Sequence, residues 1–213
     1  MLFYLLAPFF KLLFGIGFRF PLLCWIVIKN RQRVPKSGGL LVIANHISIA
    51  DPPLLWYALP RYAWWVGRHD IQNIPFVSTI ARIGRMIPVK QRQADRKALM
   101  DSAAQIEAGS AVVIFPEGEV SPNGKIQPFL PGVSLIVRKT RCRVLPVGLL
   151  NTDRIAPHGK LFPRPGFCRL IVRFGEPICF DDILDAPDAS EQIVKRMQDA
   201  VAELTGQAID DSH

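Results

Sequence analysis

The chain has 213 residues, 49% of them hydrophobic and 21% charged, with 26 Lys and Arg against 18 Asp and Glu for a net charge of +8. This length suits one core-forming domain with a short appendage, and the composition excludes a disordered or repeat protein. The four cysteines (24, 142, 168 and 179) make no C-x-x-C pair, so a disulfide framework or zinc knuckle is not expected and the thiols read as reduced.

Charge is unevenly spread. Residues 1–100 hold 14 basic and 3 acidic residues, whereas from Glu176 onward ten acids face only Lys195 and Arg196. No RNA-recognition, zinc-finger or other nucleic-acid signature accompanies the basic half, so no nucleic-acid partner is expected. An anionic membrane surface suits it better, because each Lys or Arg beside such a surface contributes about 1 kcal/mol. Residues 1–28 carry only Lys11 and Arg19 as charges, together with six of the 13 Phe and Trp25. Pro8, Gly15, Gly17 and Pro21 interrupt the run, and a charge at mid-bilayer costs about 2.5–3.5 kcal/mol. The reading is therefore two interfacial helical pieces, 2–14 and 18–29, with a single span or an amphipathic helix packed on the protein's own core as the alternatives. Lys29, Arg31, Arg33 and Lys36 keep the following domain on the cytoplasmic face in either case.

Next come alternating short apolar runs and helical patterns. Strands are predicted at 40–44, 63–66, 86–89, 111–115, 144–149 and 170–174, and helices at 53–59, 71–83, 95–108, 132–139 and 190–205. The expected fold class is α/β: a single domain with a central, mostly mixed β-sheet flanked by helices. It would occupy residues 31–213, behind a membrane-anchoring segment at 1–30. Ligands in such sheets collect beyond the carboxyl ends of strands, so the residues just after each strand matter most.

After the first of these strands stands Asn45-His46-Ile47-Ser48-Ile49-Ala50-Asp51-Pro52. Asp51 before a proline and an apolar run reads as a helix N-cap. An Asp held there also orients an imidazole, leaving the other ring nitrogen to take a proton from a hydroxyl. Ser48 lies between them, but the chain has no G-x-S-x-G elbow, so it reads as a turn former and not as a nucleophile. After the 111–115 strand stands Pro116-Glu117-Gly118-Glu119, with Glu117 placed to bind either a substrate hydroxyl or the backbone of its own turn, and Gly118 giving backbone freedom or close ligand approach.

Taken together, Asn45-His46…Asp51, Gly84-Arg85-Met86-Ile87-Pro88-Val89, Phe115-Pro116-Glu117-Gly118…Ser121 and Val144-Leu145-Pro146-Val147 resemble the four blocks of the 1-acyl-sn-glycerol-3-phosphate (lysophosphatidate) acyltransferase family. The resemblance covers residues 37–150. It implies an O-acyltransferase of phospholipid synthesis, with His46 as general base and Asp51 orienting it. The acyl thioester donor is acyl-CoA or acyl carrier protein, the acceptor is lysophosphatidate or a related lysolipid, and no metal or further cofactor is implied. Two departures bear on the acceptor. Where the family has Arg after V-D, this chain has Lys90 and Gln91 with Arg92 one place later, and the family's T-R is Glu119-Val120 here. Lys90 and Arg92, with Arg85 and Lys125 behind them, are the candidate phosphate ligands, joined by Glu117 and Gly118 as substrate-binding residues. The competing readings are the same chemistry on a non-phosphatidate lysolipid and a non-catalytic lipid-binding protein of the membrane surface.

Overall fold

The computed structural model describes residues 8, 12, 13, 15–17, 19, 23–68, 85–89, 95–159, 164–207, 209 and 210. The helix expected at 71–83 lies outside these residues, as do Lys90 and Arg92. Seven strands build one sheet: β1 (Trp25–Lys29), β2 (Leu40–Ala44), β3 (Ala63–Arg68), β4 (Met86–Val89), β5 (Ala111–Ile114), β6 (Arg143–Leu150) and β7 (Arg169–Phe174), in the spatial order β1-β7-β6-β2-β5-β3-β4. Around it stand α1 (Asp51–Ala58), α2 (Arg96–Glu107), α3 (Gly132–Thr140) and α4 (Ala189–Thr205) among the described residues. The sheet is mixed, as expected: β6 and β7 pair antiparallel and the other neighbours pair parallel.

Strand β2 is buried at every position and so reads as an unbroken apolar run, as a central strand covered on both faces must. Alternate side chains divide between two cores. Leu40, Val42 and Ala44 pack with Leu54, Leu55 and Ala58 of α1, while Leu41 and Ile43 pack with residues of α2, α3 and α4. Asp95 caps α2, its carboxylate accepting the N–H groups of Lys97 (3.1 Å) and Ala98 (3.2 Å).

Two expectations are corrected. Residues 25–29, read as the end of a second membrane helix, form β1 and join the sheet beside β7, with Trp25 opposite Arg169. The consecutive β-branched residues Ile26, Val27 and Ile28 suit an extended strand better than a helix, and β7 offers an apolar edge to pair with. Of the described residues before it, 8, 12, 13, 15–17 and 19 are helical, and Gly15 lies against Tyr57 of α1. No helix among the described residues is long and apolar enough to cross a membrane. The second correction concerns Asp51, which is no N-cap. It is itself helical, and its carboxylate turns back to the loop before it.

All four cysteines are free thiols. Cys24 and Cys168 meet just ahead of β1 and β7, with their sulfurs 3.5 Å apart, and burial pushes the Cys168 thiol up to about 11.

Candidate active site

Topology decides where the site lies. Strands β2, β3, β4, β5 and β6 run parallel, so their carboxyl ends share one edge of the sheet. The loops after β2, β5 and β6 meet at that edge and bring together residues more than 100 positions apart.

Asn45 fastens the first loop. Its side-chain amide donates to Leu149 O (2.9 Å) and its Oδ1 accepts from Leu149 N (2.7 Å), continuing the β2–β6 ladder past the end of β2. The chain then turns at His46. Asp51, fully buried, returns its Oδ2 to accept from Ile47 N (2.7 Å) and Ser48 N (2.8 Å), and the same oxygen lies 3.0 Å from Nδ1 of His46. A carboxylate against Nδ1 keeps the ring proton there, so Nε2 is the basic nitrogen. The His46 ring also stacks on Phe115, centroid to centroid 4.3 Å, which fixes its plane. Ser48 is buried, donating to Ala156 O (2.8 Å) and accepting from Ala50 N (3.1 Å). It is a turn former, as its sequence context implied.

The 116–119 turn sits beside this loop. Glu117 is buried and spends one oxygen on His46 N (2.6 Å) and the other on Gln127 N (2.9 Å), while Ser121 N donates to His46 O (2.7 Å). Its hydrogen bonds brace backbone, but that of the neighbouring His46 and Gln127 loops and not that of its own turn. Gly118 closes the turn onto Phe115 O at φ +78°, where a side chain is strained, and a Cβ there would lie 2.8 Å from Leu130 Cδ1.

Burial pushes the Glu117 carboxyl up to about 8; the N–H groups of Gln127 and His46 pull it down, and the negative charge of Asp51 adds to the rise. A carboxyl raised on folding stabilises the fold fully below its unfolded value, and that contribution is lost as pH rises through the folded one. The stability of the wild type relative to Glu117→Gln is therefore expected to fall between pH 5 and 8. Each kcal/mol should appear as about 2–4 °C in Tm, and a difference in Tm that is flat across this window would contradict the assignment.

Several residues are placed away from the pair or differently from expectation. Arg85 precedes β4, at the sheet edge opposite His46, with its guanidinium 5.6 Å above the Trp64 ring. Lys125 is exposed on the 121–127 loop, whose Ser121 contacts His46. Arg31, itself exposed, donates to Ala58 O (2.9 Å), and Arg33 pairs with the exposed Glu176 (2.6 Å). Sequence reasoning missed Thr152, whose hydroxyl donates to Asp51 Oδ1 (2.5 Å). A Thr at the carboxyl end of a strand that neighbours β2 was the available signal. Among the described residues no group of three His, Cys, Asp or Glu gathers as metal ligands do.

The Acyltransferase family model matches residues 26–150, which run from within β1 to the end of β6 and include Asn45, His46, Asp51 and Glu117, while Thr152 lies just beyond them. The chain belongs to the Acyltransferase family. This agrees with the resemblance carried by its four motif blocks. Among its relatives are two proteins described as 1-acyl-sn-glycerol-3-phosphate acyltransferase. The one from Borreliella burgdorferi is 28% identical over 134 residues, covering 60% of this chain and 52% of that protein. The one from Helicobacter pylori is 25% identical over 167 residues, covering 76% and 68%. A third, described as an N-acylphosphatidylethanolamine synthase from Arabidopsis thaliana, is 30% identical over 170 residues, covering 70% and 59%. The chain thus spans between 38% and 52% of the length of several curated relatives that it matches. The fold is also that of the solved 1-acyl-sn-glycerophosphate acyltransferase PlsC from Thermotoga maritima, with a TM-score of 0.79 over 92% of this chain and 77% of that one, at 23% identity.

Proposed function

We propose that the chain is an O-acyltransferase that moves a fatty acyl group from an acyl thioester, carried by CoA or acyl carrier protein, to a free hydroxyl of lysophosphatidate. The observation that carries this reading is the His46–Asp51 pair. It is a half-buried imidazole oriented by a fully buried carboxylate at the sheet edge where ligands collect. An alcohol is a weak nucleophile at neutral pH and needs a base, whereas a thiolate leaves readily because its conjugate acid has a pKa of only about 8.5. Nε2 of His46 takes the hydroxyl proton as the oxygen bonds to the thioester carbonyl carbon. The tetrahedral intermediate then expels the sulfur, and the imidazolium returns its proton to the thiolate. Asp51 holds the ring and stabilises its transient charge. No residue needs to carry the acyl group, in keeping with a Ser48 that is hydrogen-bonded and buried.

A second reading keeps the chemistry and changes the acceptor, and Glu119-Val120 favours it, because a carboxylate in the turn repels phosphate. Strand β4 ends with Val89 at the His46 edge. Comparing kcat/KM for lysophosphatidate with that for lysolipids lacking a terminal phosphate decides between the readings. With phosphate as the natural handle, Lys90→Ala/Arg92→Ala raises KM for lysophosphatidate about 10–150-fold, the worth of a charge-assisted contact. Poor wild-type turnover of lysophosphatidate that the double substitution leaves unchanged would assign another acceptor.

The same edge suits work at a bilayer surface. Because β7 runs against β6 and β1 follows β7, the starts of both strands come to the edge that holds His46. Exposed Leu23, Trp25, Ile49, Leu130 and Phe167 accompany them, with Arg164 and Arg169 alongside. Residues 1–22 ahead of β1 would anchor the chain at the cytoplasmic face, in line with the Phe-rich sequence. Flotation with vesicles containing anionic lipid should retain the full chain at high salt and lose most of it when residues 1–22 are deleted. Full release by salt alone would make the attachment purely electrostatic and contradict an apolar anchor.

A further inference from the structure

We propose that Thr152 is a positioning residue for the His46–Asp51 pair, its hydroxyl holding Oδ1 of Asp51 so that Oδ2 stays aimed at the imidazole. The proposal rests on His46 acting as the base, as argued above. Thr152 begins the short 3-10 turn Thr152–Arg154 directly after β6, behind Asn151 in a left-handed conformation (φ +67°), and both Thr152 and Asp51 are fully buried. Its hydroxyl donates to Asp51 Oδ1 at 2.5 Å across 101 residues of sequence, while Oδ2 of the same carboxylate takes Ile47 N, Ser48 N and Nδ1 of His46. Two further ties fix this turn against the His46 loop: Asn45 with Leu149 on one side, and Ser48 with Ala156 on the other.

A carboxylate in a dry site needs both oxygens satisfied, and the donors on each oxygen set its rotation. The backbone amides and the ring hold Oδ2, and the Thr152 hydroxyl pins the opposite end. Without that hydroxyl Oδ1 loses its hold, the aim of the carboxyl loosens within the three bonds that Oδ2 keeps, and its charge, less dispersed, pulls harder on the ring proton. The base is then both less well aimed and held more firmly in its protonated form.

Two substitutions and two readouts test this. Thr152→Val keeps the shape and removes the hydroxyl, and Thr152→Ser keeps the hydroxyl. Glu117 is the other carboxyl bonded to the His46 backbone, and Asp153, Arg154 and His158 lie on the same segment as Thr152. The ring of His46 is therefore followed directly by NMR titration of the full-length protein, without substrate. Thr152→Val should move its protonation midpoint upward by about 0.5–1 pH unit. It should also lower kcat about 10–100-fold with KM for the acyl donor little changed. Thr152→Ser should restore both toward wild type. An unmoved midpoint in folded Thr152→Val would overturn the proposal. So would a Thr152→Ser protein that shifts as far as Thr152→Val, a result that stands even if the valine variant does not fold. A protein that titrates as expected but transfers no acyl group would retain the positioning role and defeat the acyltransferase reading instead.

Discussion

Replacing His46 with alanine is expected to lower kcat for acyl transfer about 10²–10⁴-fold, with little change in Tm. The backbone of His46 does its structural work independently of the ring, since its N–H bonds Glu117 and its carbonyl accepts from Ser121. Alanine preserves both contacts. What disappears is the nitrogen proposed to remove the hydroxyl proton, together with the stack on Phe115. The loss should fall on kcat, because a general base acts on the reacting atoms in the transition state and contributes little ground-state binding. Steady-state kinetics and a thermal melt on the same sample check this. Wild-type turnover in a folded His46→Ala protein would remove His46 from the mechanism.

The second large effect is expected at Asp51. In Asp51→Asn an oxygen still accepts from Ile47 N and Ser48 N, and the Thr152 hydroxyl rotates to accept from the new amide, so the loop keeps its shape. The negative charge proposed to stabilise the imidazolium is gone, and kcat should fall about 10²–10⁴-fold while the melt moves by a few degrees at most. Asp51→Ala is expected to damage folding as well. It strands two buried N–H groups and a hydroxyl, each at a cost of about 1–3 kcal/mol. Equal activity losses with very different melts would separate charge from architecture. An Asp51→Asn protein with near-normal kcat would mean that the carboxylate only holds the loop.

These two residues were legible in the sequence because their relation is local. Five positions separate them, and a strand before and a helix after place them at a turn. The strands were legible for a similar reason: a strand buried on both faces, such as β2, shows its burial as an uninterrupted apolar run. Strand β1 was not, because an apolar stretch beside a Phe-rich segment satisfies a membrane helix equally well until its partner β7, more than 140 residues on, is known. Asp51 as a helix cap was the natural local reading of Asp-Pro. The loop before it competed for the same carboxylate and won, since two backbone amides and an imidazole converge there. Glu117 and Thr152 illustrate the limit most clearly. Each is a single polar residue in a turn, and its task is set by a bond to a residue 71 or 101 positions away that only the closed sheet creates.

Acceptor-dependent release of thiol from a long-chain acyl-CoA tests the central claim most directly. With purified full-length wild type, thiol should appear in proportion to added lysolipid and match the diacyl product mole for mole, while His46→Ala releases almost none. No acceptor-dependent release from the wild type, or release from His46→Ala at the wild-type rate, would contradict the account.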